Sequence, residues 1–484
     1  MKQIIPFRSI SLYVFILVVF ISIPYYGIIL DGDELHSIIF SSGNREYFNA
    51  GYAGLMDQQV TALEWKKQLS EVANFDLLRV WNDTLLYDVH PPLYYCLLHI
   101  VLFLCGGSLI GAYLLNAIFL LASLHLISSK RNLDFSSNWK IIAFLPFILN
   151  GCLDIRPYCI LFYFGLQCYF MLREQKFSYL KLSCFILLGI LTNYLFSLFI
   201  IALVVARIQG NGLNLKSVFK SKNLILAVFL TFILGYFLLG HNEQFSTITN
   251  RIDFDQHFIF DKFTNIIFSI VGITFPLWLF KLANYFSLYC ILFVLGSIVT
   301  VRLMRFVLRH WKGFRFEITG FLLYLFFYLV LYFLEIIPHH SVGGKYFLLL
   351  SIPLILPFMK MLEDWKHLKY ILPFFLFLIL AGEALFRGDE RKYISLLTQK
   401  ESSFYSNSND AFTVLRLVNA MDDDKKVFIG NPDKIQNLNF DQLFVVTYKK
   451  PHIRYDANKL VDKSYSSKPL VLRKFYEVGT FYHR

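Results

Sequence analysis

Along the chain, long apolar runs alternate with short polar connections, and one polar stretch near the start interrupts the series. Apolar residues dominate 11–30, 108–127, 139–151, 156–172, 179–206, 222–240, 263–301, 316–337, 344–360 and 369–386. Several of these runs reach or approach the roughly 20 residues a helix needs to cross a bilayer. The run 91–105 is short for a crossing and holds His99, while 179–206 reads as one long helix or as two bent near Asn193. Basic clusters follow many of the runs: Lys130/Arg131/Lys140, Arg173/Lys176, Lys216/Lys220/Lys222, Arg302/Arg305/Arg309/Arg315 and Lys360/Lys366/Lys369. All of them fall on the cytoplasmic side if 91–107 and 263–281 are half-inserted, which gives about eleven crossings, or about thirteen if both cross. Lys2 and Arg8 precede the first run and no small-x-small cleavage site follows it. That run is therefore read as an uncleaved span with a cytoplasmic N-terminus, and an odd number of spans carries the C-terminus to the other side.

Residues 31–90 form the first extracytoplasmic loop in this reading. Leu63, Val72, Leu77 and Val80, with Trp65 and Trp81 among charges, predict amphipathic helices lying at the interface. After residue 387 the pattern changes to short apolar runs at 427–429, 443–446 and 469–472, with a helix over 411–421 ending in a turn at Asp422-Asp423-Asp424. That alternation suggests a small α/β domain over 388–484. The predicted fold is thus an all-α polytopic membrane protein over 1–387 with a small C-terminal α/β extracytoplasmic domain.

Composition agrees: 56% of the residues are hydrophobic and 17% charged, and the mean hydropathy is +0.53. The net charge of +12 does not point to nucleic acid, because the cations lie between apolar segments, where membrane orientation accounts for them. The seven cysteines lie in or beside apolar segments without metal-ligand spacing, and read as buried, inert thiols.

The candidate chemistry gathers on one face. Asp31-Gly32-Asp33-Glu34 places three carboxylates where the first span leaves the membrane, with Gly32 expected in a turn before Asp33. Tyr87-Asp88-Val89-His90-Pro91-Pro92 closes the loop, and two prolines belong at a helix start rather than inside one. Asp154-Ile155-Arg156-Pro157-Tyr158, the Asn193-Tyr194 bend and the stretch from Pro338 to Tyr346, with Lys345-Tyr346, join them. A carboxylate such as Asp33 or Glu34 can serve as a general base on a hydroxyl. Arg156 and Lys345, each followed closely by a tyrosine, suit a phosphate. Such groups at segment ends beside a large loop favour an enzyme over a transporter, which carries its ionisable groups nearer mid-membrane.

Asp33-Glu34 after the first span, followed by Asp88-Val89-His90-Pro91-Pro92-Leu93, resembles the protein O-mannosyltransferases. It also resembles bacterial relatives that use polyprenyl-phosphate sugars, including the aminoarabinose transferases of lipid A. Arg156-Pro157-Tyr158 is similar to an Arg-Pro-Tyr of those bacterial enzymes. Lys345-Tyr346 stands where many have Arg-Tyr, and Asn193-Tyr194 where a His-Tyr is common. The resemblance implies a GT-C-type inverting glycosyltransferase in the bacterial inner (plasma) membrane. Such an enzyme moves a sugar from a polyprenyl-phosphate donor to a lipid, polysaccharide or protein hydroxyl on the extracytoplasmic face, with no metal or other cofactor. It implies Asp33 as the base supported by Glu34, Asp88 and His90 shaping the site, and Arg156, Tyr158, Lys345 and Tyr346 holding the donor phosphate. The alternatives are a transporter or flippase of a lipid-linked glycan, and a lipid-linked-glycan ligase or polymerase.

Overall fold

The computed structural model describes residues 32–43, 54–70, 72, 74–88, 90–131, 152, 154–174, 177–210, 221–239, 286–333, 348–364, 402–406, 421–430, 442–448, 468–473 and 476–482, with single helical positions at 14, 17, 18, 415 and 418. These residues are mostly helical. Among the described residues, three helices are long and apolar enough to cross a membrane: Leu109–Lys130, Lys222–Leu239 and Trp311–Tyr332. The expected spans over 139–151, 263–281 and 369–386, and the motif at Lys345-Tyr346, lie outside the described residues. The chain divides into two compact units.

One unit holds 19–83, 97–112 and 384–484. Its first helix, α1 (Gly32–Ser41), buries Leu35, Ile38, Ile39 and Phe40. Gly32 is the first residue of this helix and not a turn before it, which corrects the expectation. The first turn of a helix is where acidic residues are favoured, because the N–H groups there leave a partial positive charge. The helix stops at Gly43, whose φ of 72° is open to glycine at little cost. Strand β1 (Gln59–Thr61) leads into α2 (Ala62–Ser70) through a reciprocal cap. Thr61 N–H donates to Glu64 Oε2 at 2.7 Å, and Glu64 N–H donates back to Thr61 Oγ1 at 3.4 Å. The hydrogen bonds that the Thr61 N–H and hydroxyl donate to Glu64 Oε2 hold the Glu64 carboxyl below the usual carboxylate range. Helix α3 (Leu77–Tyr87) and α4 (Leu93–Leu104) follow. The twelve residues of α4 rise only about 18 Å, well short of the roughly 30 Å hydrocarbon core.

His99 on α4 is fully buried, and its two ring nitrogens meet opposite partners. The Ser41 carbonyl, 2.8 Å from Nδ1, can only accept, and the Asp76 N–H, 3.1 Å from Nε2, can only donate. The pair therefore selects the neutral ring with its hydrogen on Nδ1. This imidazole ties the end of α1 to the residue that opens α3. Its replacement by Ala strands the buried Ser41 carbonyl, at about 1–3 kcal/mol, and leaves the N–H of the exposed Asp76 to water. His99→Ala is expected to lower the melting temperature of the purified protein, while His99→Asn keeps part of the stability.

A six-stranded sheet completes this unit in the order β1-β3-β2-β4-β6-β5, with β2 (Ser402–Ser406), β3 (Lys426–Ile429), β4 (Gln442–Tyr448), β5 (Lys468–Arg473) and β6 (Tyr476–Tyr482). Strand β2 is parallel to β3 and to β4, and the other pairings are antiparallel. The connection from β2 to β3 carries the helical positions Leu415 and Val418, both buried, as a parallel crossover requires. Residues of the first loop thus enter a sheet otherwise built from the C-terminal segment: Val60 pairs with Val427, and Asp57 N–H donates to Ile429 O at 2.8 Å. A Cβ on Gly430 would lie 2.1 Å from Asp57 Oδ1, so only glycine allows this approach. The aspartate run forms the expected exposed turn, and Lys66 Nζ donates to Asp423 Oδ1 at 2.7 Å and to Met421 O at 2.6 Å.

The other unit holds 1–18, 84–96 and 113–383. Helix α5 (Leu109–Arg131) is followed by α6 (Tyr158–Arg173), α7 (Tyr179–Ile190), α8 (Leu195–Gly210), α9 (Lys222–Leu239), α10 (Phe286–Arg309), α11 (Arg315–Phe333), α12 (Leu348–Ser351) and α13 (Ile355–Asp364) among the described residues. The run 179–206 is two helices. Asn193 Oδ1 accepts the Leu195 N–H at 2.9 Å and starts α8 where α7 has ended. α7 packs against α6 and α9, and α8 against α11. At the far end of α6, Arg207 Nη1 donates to Leu172 O at 2.8 Å, and Arg173 Nε donates to the buried Glu317 at 2.8 Å. The cysteine expectation needs one correction: Cys96, Cys152, Cys159 and Cys168 are buried, but Cys105 and Cys184 are exposed. Cys105 follows the last residue of α4 and opens the turn at Gly106-Gly107, where the chain is uncovered.

Candidate functional site

Three helix ends meet in the second unit, and each carries a motif marked by the sequence. Pro91 and Pro92 are buried just before α4, which begins at Leu93 as two adjacent prolines demand. The first N–H of α4, at Leu93, donates to Leu191 O at 2.9 Å, in the break between α7 and α8. A helix start and a helix end thus satisfy each other's orphan groups, and the break brings Tyr194 beside Asp88.

The third end is the start of α6. Asn116, buried on α5, donates from Nδ2 to Cys152 O at 3.1 Å and to Asp154 O at 2.7 Å. The turn continues with Arg156 N–H donating to Asp154 O at 2.7 Å, and Pro157 caps α6. Cys159 Sγ donates back to Asn116 O at 3.1 Å. This lattice fixes the short segment that carries Arg156, itself only 5% exposed. Asn116→Leu is expected to take the side-chain donor from the Cys152 carbonyl, at about 1–3 kcal/mol, to leave the Asp154 carbonyl with the Arg156 N–H, and to loosen Arg156. The check is a lower melting temperature together with weaker protection of Arg156-Pro157-Tyr158 in hydrogen exchange.

Asp88 is the centre of the cluster. Its Oδ1 lies 3.4 Å from His90 Nδ1, and its Oδ2 accepts a short hydrogen bond from Tyr95 Oη. Burial pushes the Asp88 carboxyl up. The His90 ring, the Tyr95 hydroxyl and the Arg156 guanidinium together outweigh that and hold it well below the usual carboxylate range. Burial and the Asp88 charge push the Tyr194 hydroxyl up to about 12, so it stays a neutral donor at neutral pH. The result is a largely buried carboxylate that holds an imidazole and a phenol, with a second phenol beside it and a guanidinium near enough to act on it electrostatically. Such a group can orient a cation toward an anion. It is a poor general base, because a carboxylate held this far down gives up little driving force for taking a proton.

The structure therefore brings Asp88, His90 and Arg156 together. Tyr158 is the buried first residue of the same α6. Asp33 and Glu34 stand in the first turn of α1, in the other compact unit. Glu34 is buried, and of Asp33 only the backbone is described. Lys345 and Tyr346 lie outside the described residues. Two members were missed in the sequence. Tyr95 carries no signal among the many aromatics of its run. Asn116 does, as an amide isolated within the apolar run 108–127. Comparison with protein-family models, with characterised proteins and with solved structures finds no match for the chain.

Proposed function

We propose that the protein is an inverting, GT-C-like membrane glycosyltransferase that moves a sugar from a polyprenyl-phosphate donor to an acceptor hydroxyl on the extracytoplasmic face. The observation that supports this reading best is the convergence of Asp88, His90 and Tyr95 with Arg156 at the ends of apolar helices. A buried guanidinium under the electrostatic influence of a nearby carboxylate suits an anion clamp for a leaving phosphate, and such groups do most where water is excluded.

In this mechanism the acceptor oxygen bonds to the anomeric carbon as the bond from that carbon to the phosphate oxygen breaks on the opposite side. The acceptor proton passes to Asp33, supported by Glu34, and the negative charge departs on the polyprenyl phosphate held by Arg156, Tyr158, Lys345 and Tyr346. No covalent enzyme intermediate is needed. A carboxyl held well below the usual range makes a poor base, which favours the carboxylates at the start of α1 over Asp88 in that role. The acceptor is a lipid, polysaccharide or protein hydroxyl, and the scaffold is multi-pass with about eleven to thirteen crossings.

The test supplies purified protein with polyprenyl-phosphate sugars and follows donor consumption. Asp33→Asn is expected to slow turnover about 10²–10⁴-fold, and Arg156→Ala about 10²–10³-fold. Undiminished turnover in Asp33→Asn overturns the assigned base. Movement of a lipid-linked glycan across vesicles without donor cleavage overturns the enzyme in favour of a transporter.

A further inference from the structure

At the opposite end of α6 from Arg156 lies a second cationic site that the proposed transfer does not use. α6 covers 16 residues, so its two ends stand about 24 Å apart, close to the thickness of a hydrocarbon core. α10 ends at Arg309, a single turn of tight helix runs over Trp311–Phe314, and α11 begins at Arg315. Around this turn are two adjoining hollows of about 580 and 780 Å³, which share Arg173, Trp311, Lys312 and Gly313. Arg309 and Lys360 line the first, and Arg315 with Glu317 the second.

The charges here do not cancel. Among the described residues, Glu317 is the one acid lining the hollows, and it is engaged by Arg173 at 2.8 Å and by Tyr169 Oη at 3.2 Å. Among the described residues Arg309, Lys312 and Arg315 have no anionic partner, and Lys360 lies over the Phe314 ring at 5.7 Å. Membrane orientation accounts for cations near a turn between apolar helices. It does not require that cations from three segments distant in the chain, 173, 309–315 and 360, converge on a concave surface. The ligand chemistry is that of a phosphate.

A second feature identifies the source of that phosphate. Val294, Ile298, Val301, Met304 and Leu308 are all exposed and recur every three or four residues along α10. They form one apolar stripe that runs down the helix to the mouth of the hollow, where Leu308 and the half-exposed Trp311 stand. A stripe of this kind covers acyl chains, and tryptophan favours the boundary between chains and headgroups. A soluble phosphate would need the cations and not the stripe.

We infer that the hollow between the ends of α6 and α10, the start of α11 and Lys360 of α13 binds the phosphate headgroup of an anionic membrane lipid, with its chains along the exposed stripe of α10. Basic pockets between membrane helices take such headgroups by this combination of charge and shape. The site is separate from the Asp88–Arg156 cluster and does not depend on the glycosyltransferase reading.

Native mass spectrometry of the full-length protein released from detergent tests it. Phosphatidylglycerol is compared with phosphatidylcholine of the same chains, and inorganic phosphate is a separate arm. Wild type is expected to retain phosphatidylglycerol at least about fivefold better, and Arg309→Gln and Lys312→Gln each to lose about fivefold. Both side chains are exposed, so these variants should fold, and Lys222→Gln, at the exposed start of α9 and lining neither hollow, should leave retention unchanged. Equal retention of the two lipids by wild type overturns the inference, with no variant needed. So does undiminished retention in the Arg309→Gln/Lys312→Gln double variant. Stabilisation by inorganic phosphate alone that matches the lipid's overturns the lipid assignment in favour of a soluble phosphate.

Discussion

Asp88→Asn is expected to cost about 1.5–3 kcal/mol of stability, the usual result of losing a hydrogen bond made by a charged group. The substitution nearly conserves shape, and the amide oxygen can still accept from Tyr95 Oη, so packing and that hydrogen bond survive while the charge goes. What remains is His90 and Arg156 facing a neutral group in a buried setting. The measurements are the melting temperature in detergent and donor turnover, and both should fall. The pH dependence follows from the direction of the shift. A carboxyl whose folded pKa lies below its unfolded value of about 3.9 stabilises the protein at any pH above that value. It loses the contribution only as pH drops through the folded value, in strong acid. Between about pH 5 and 8 Asp88 therefore stays ionised in the wild type. Infrared difference spectra that show its carboxyl protonated anywhere in that range would mean that burial has won, and the electrostatic account of the cluster fails.

The cluster was legible in parts, and the parts that could be read are those with a local cause. Two adjacent prolines state where a helix begins, whatever lies around them, and α4 begins just after Pro92. Asn193 caps α8 through its own backbone neighbourhood, so the break inside the run 179–206 could be read from a few residues. Asp88, His90 and Arg156 each stood out because a charged or ionisable group beside hydrocarbon demands a partner. Which partner each would take was not legible, since Asp88 and Arg156 are far apart in sequence and the distance is closed by helix packing. The Asn116 clamp on the Arg156 turn was hidden for the same reason, although the amide itself was visible. The sheet shows the opposite case. β1 has three residues, too few for alternation to register, and its partner Lys426–Ile429 lies at the other end of the chain. The pattern over 55–80 predicted interfacial helices, and it found α2 and the start of α3 but had no means of finding a strand whose identity depends on that pairing.

The same dependence on packing makes a small substitution far from any charge an informative one. Gly189→Ala adds one methyl group near the end of α7, and in an open helix that change would add up to about 1 kcal/mol of stability. Here the added Cβ would lie 2.2, 2.3 and 2.6 Å from three ring atoms of Phe196, far inside normal contact. Phe196 is fully buried and belongs to α8, on the other side of the break. The ring cannot swing clear without moving the segment between. That segment is held by Thr192 N–H and Asn193 N–H, which both donate to Gly189 O, and by Leu191 O, which accepts from the first N–H of α4. Overpacking of this kind outweighs the propensity gain, and Gly189→Ala is expected to destabilise the protein by about 1–3 kcal/mol or more. It should also slow donor turnover, because displacing the break shifts Tyr194 away from Asp88 and disturbs the start of α4. Gly235→Ala is the control: its Cβ would come no closer than 3.2 Å, to Ile190 Cγ2, so the loss should be small. Phe196→Leu removes the obstructing ring, and the double variant should recover part of both losses. Strictly additive effects of Gly189→Ala and Phe196→Leu on stability would show that the two sites do not interact, and the packing route from α7 to the Asp88 cluster would have to be abandoned.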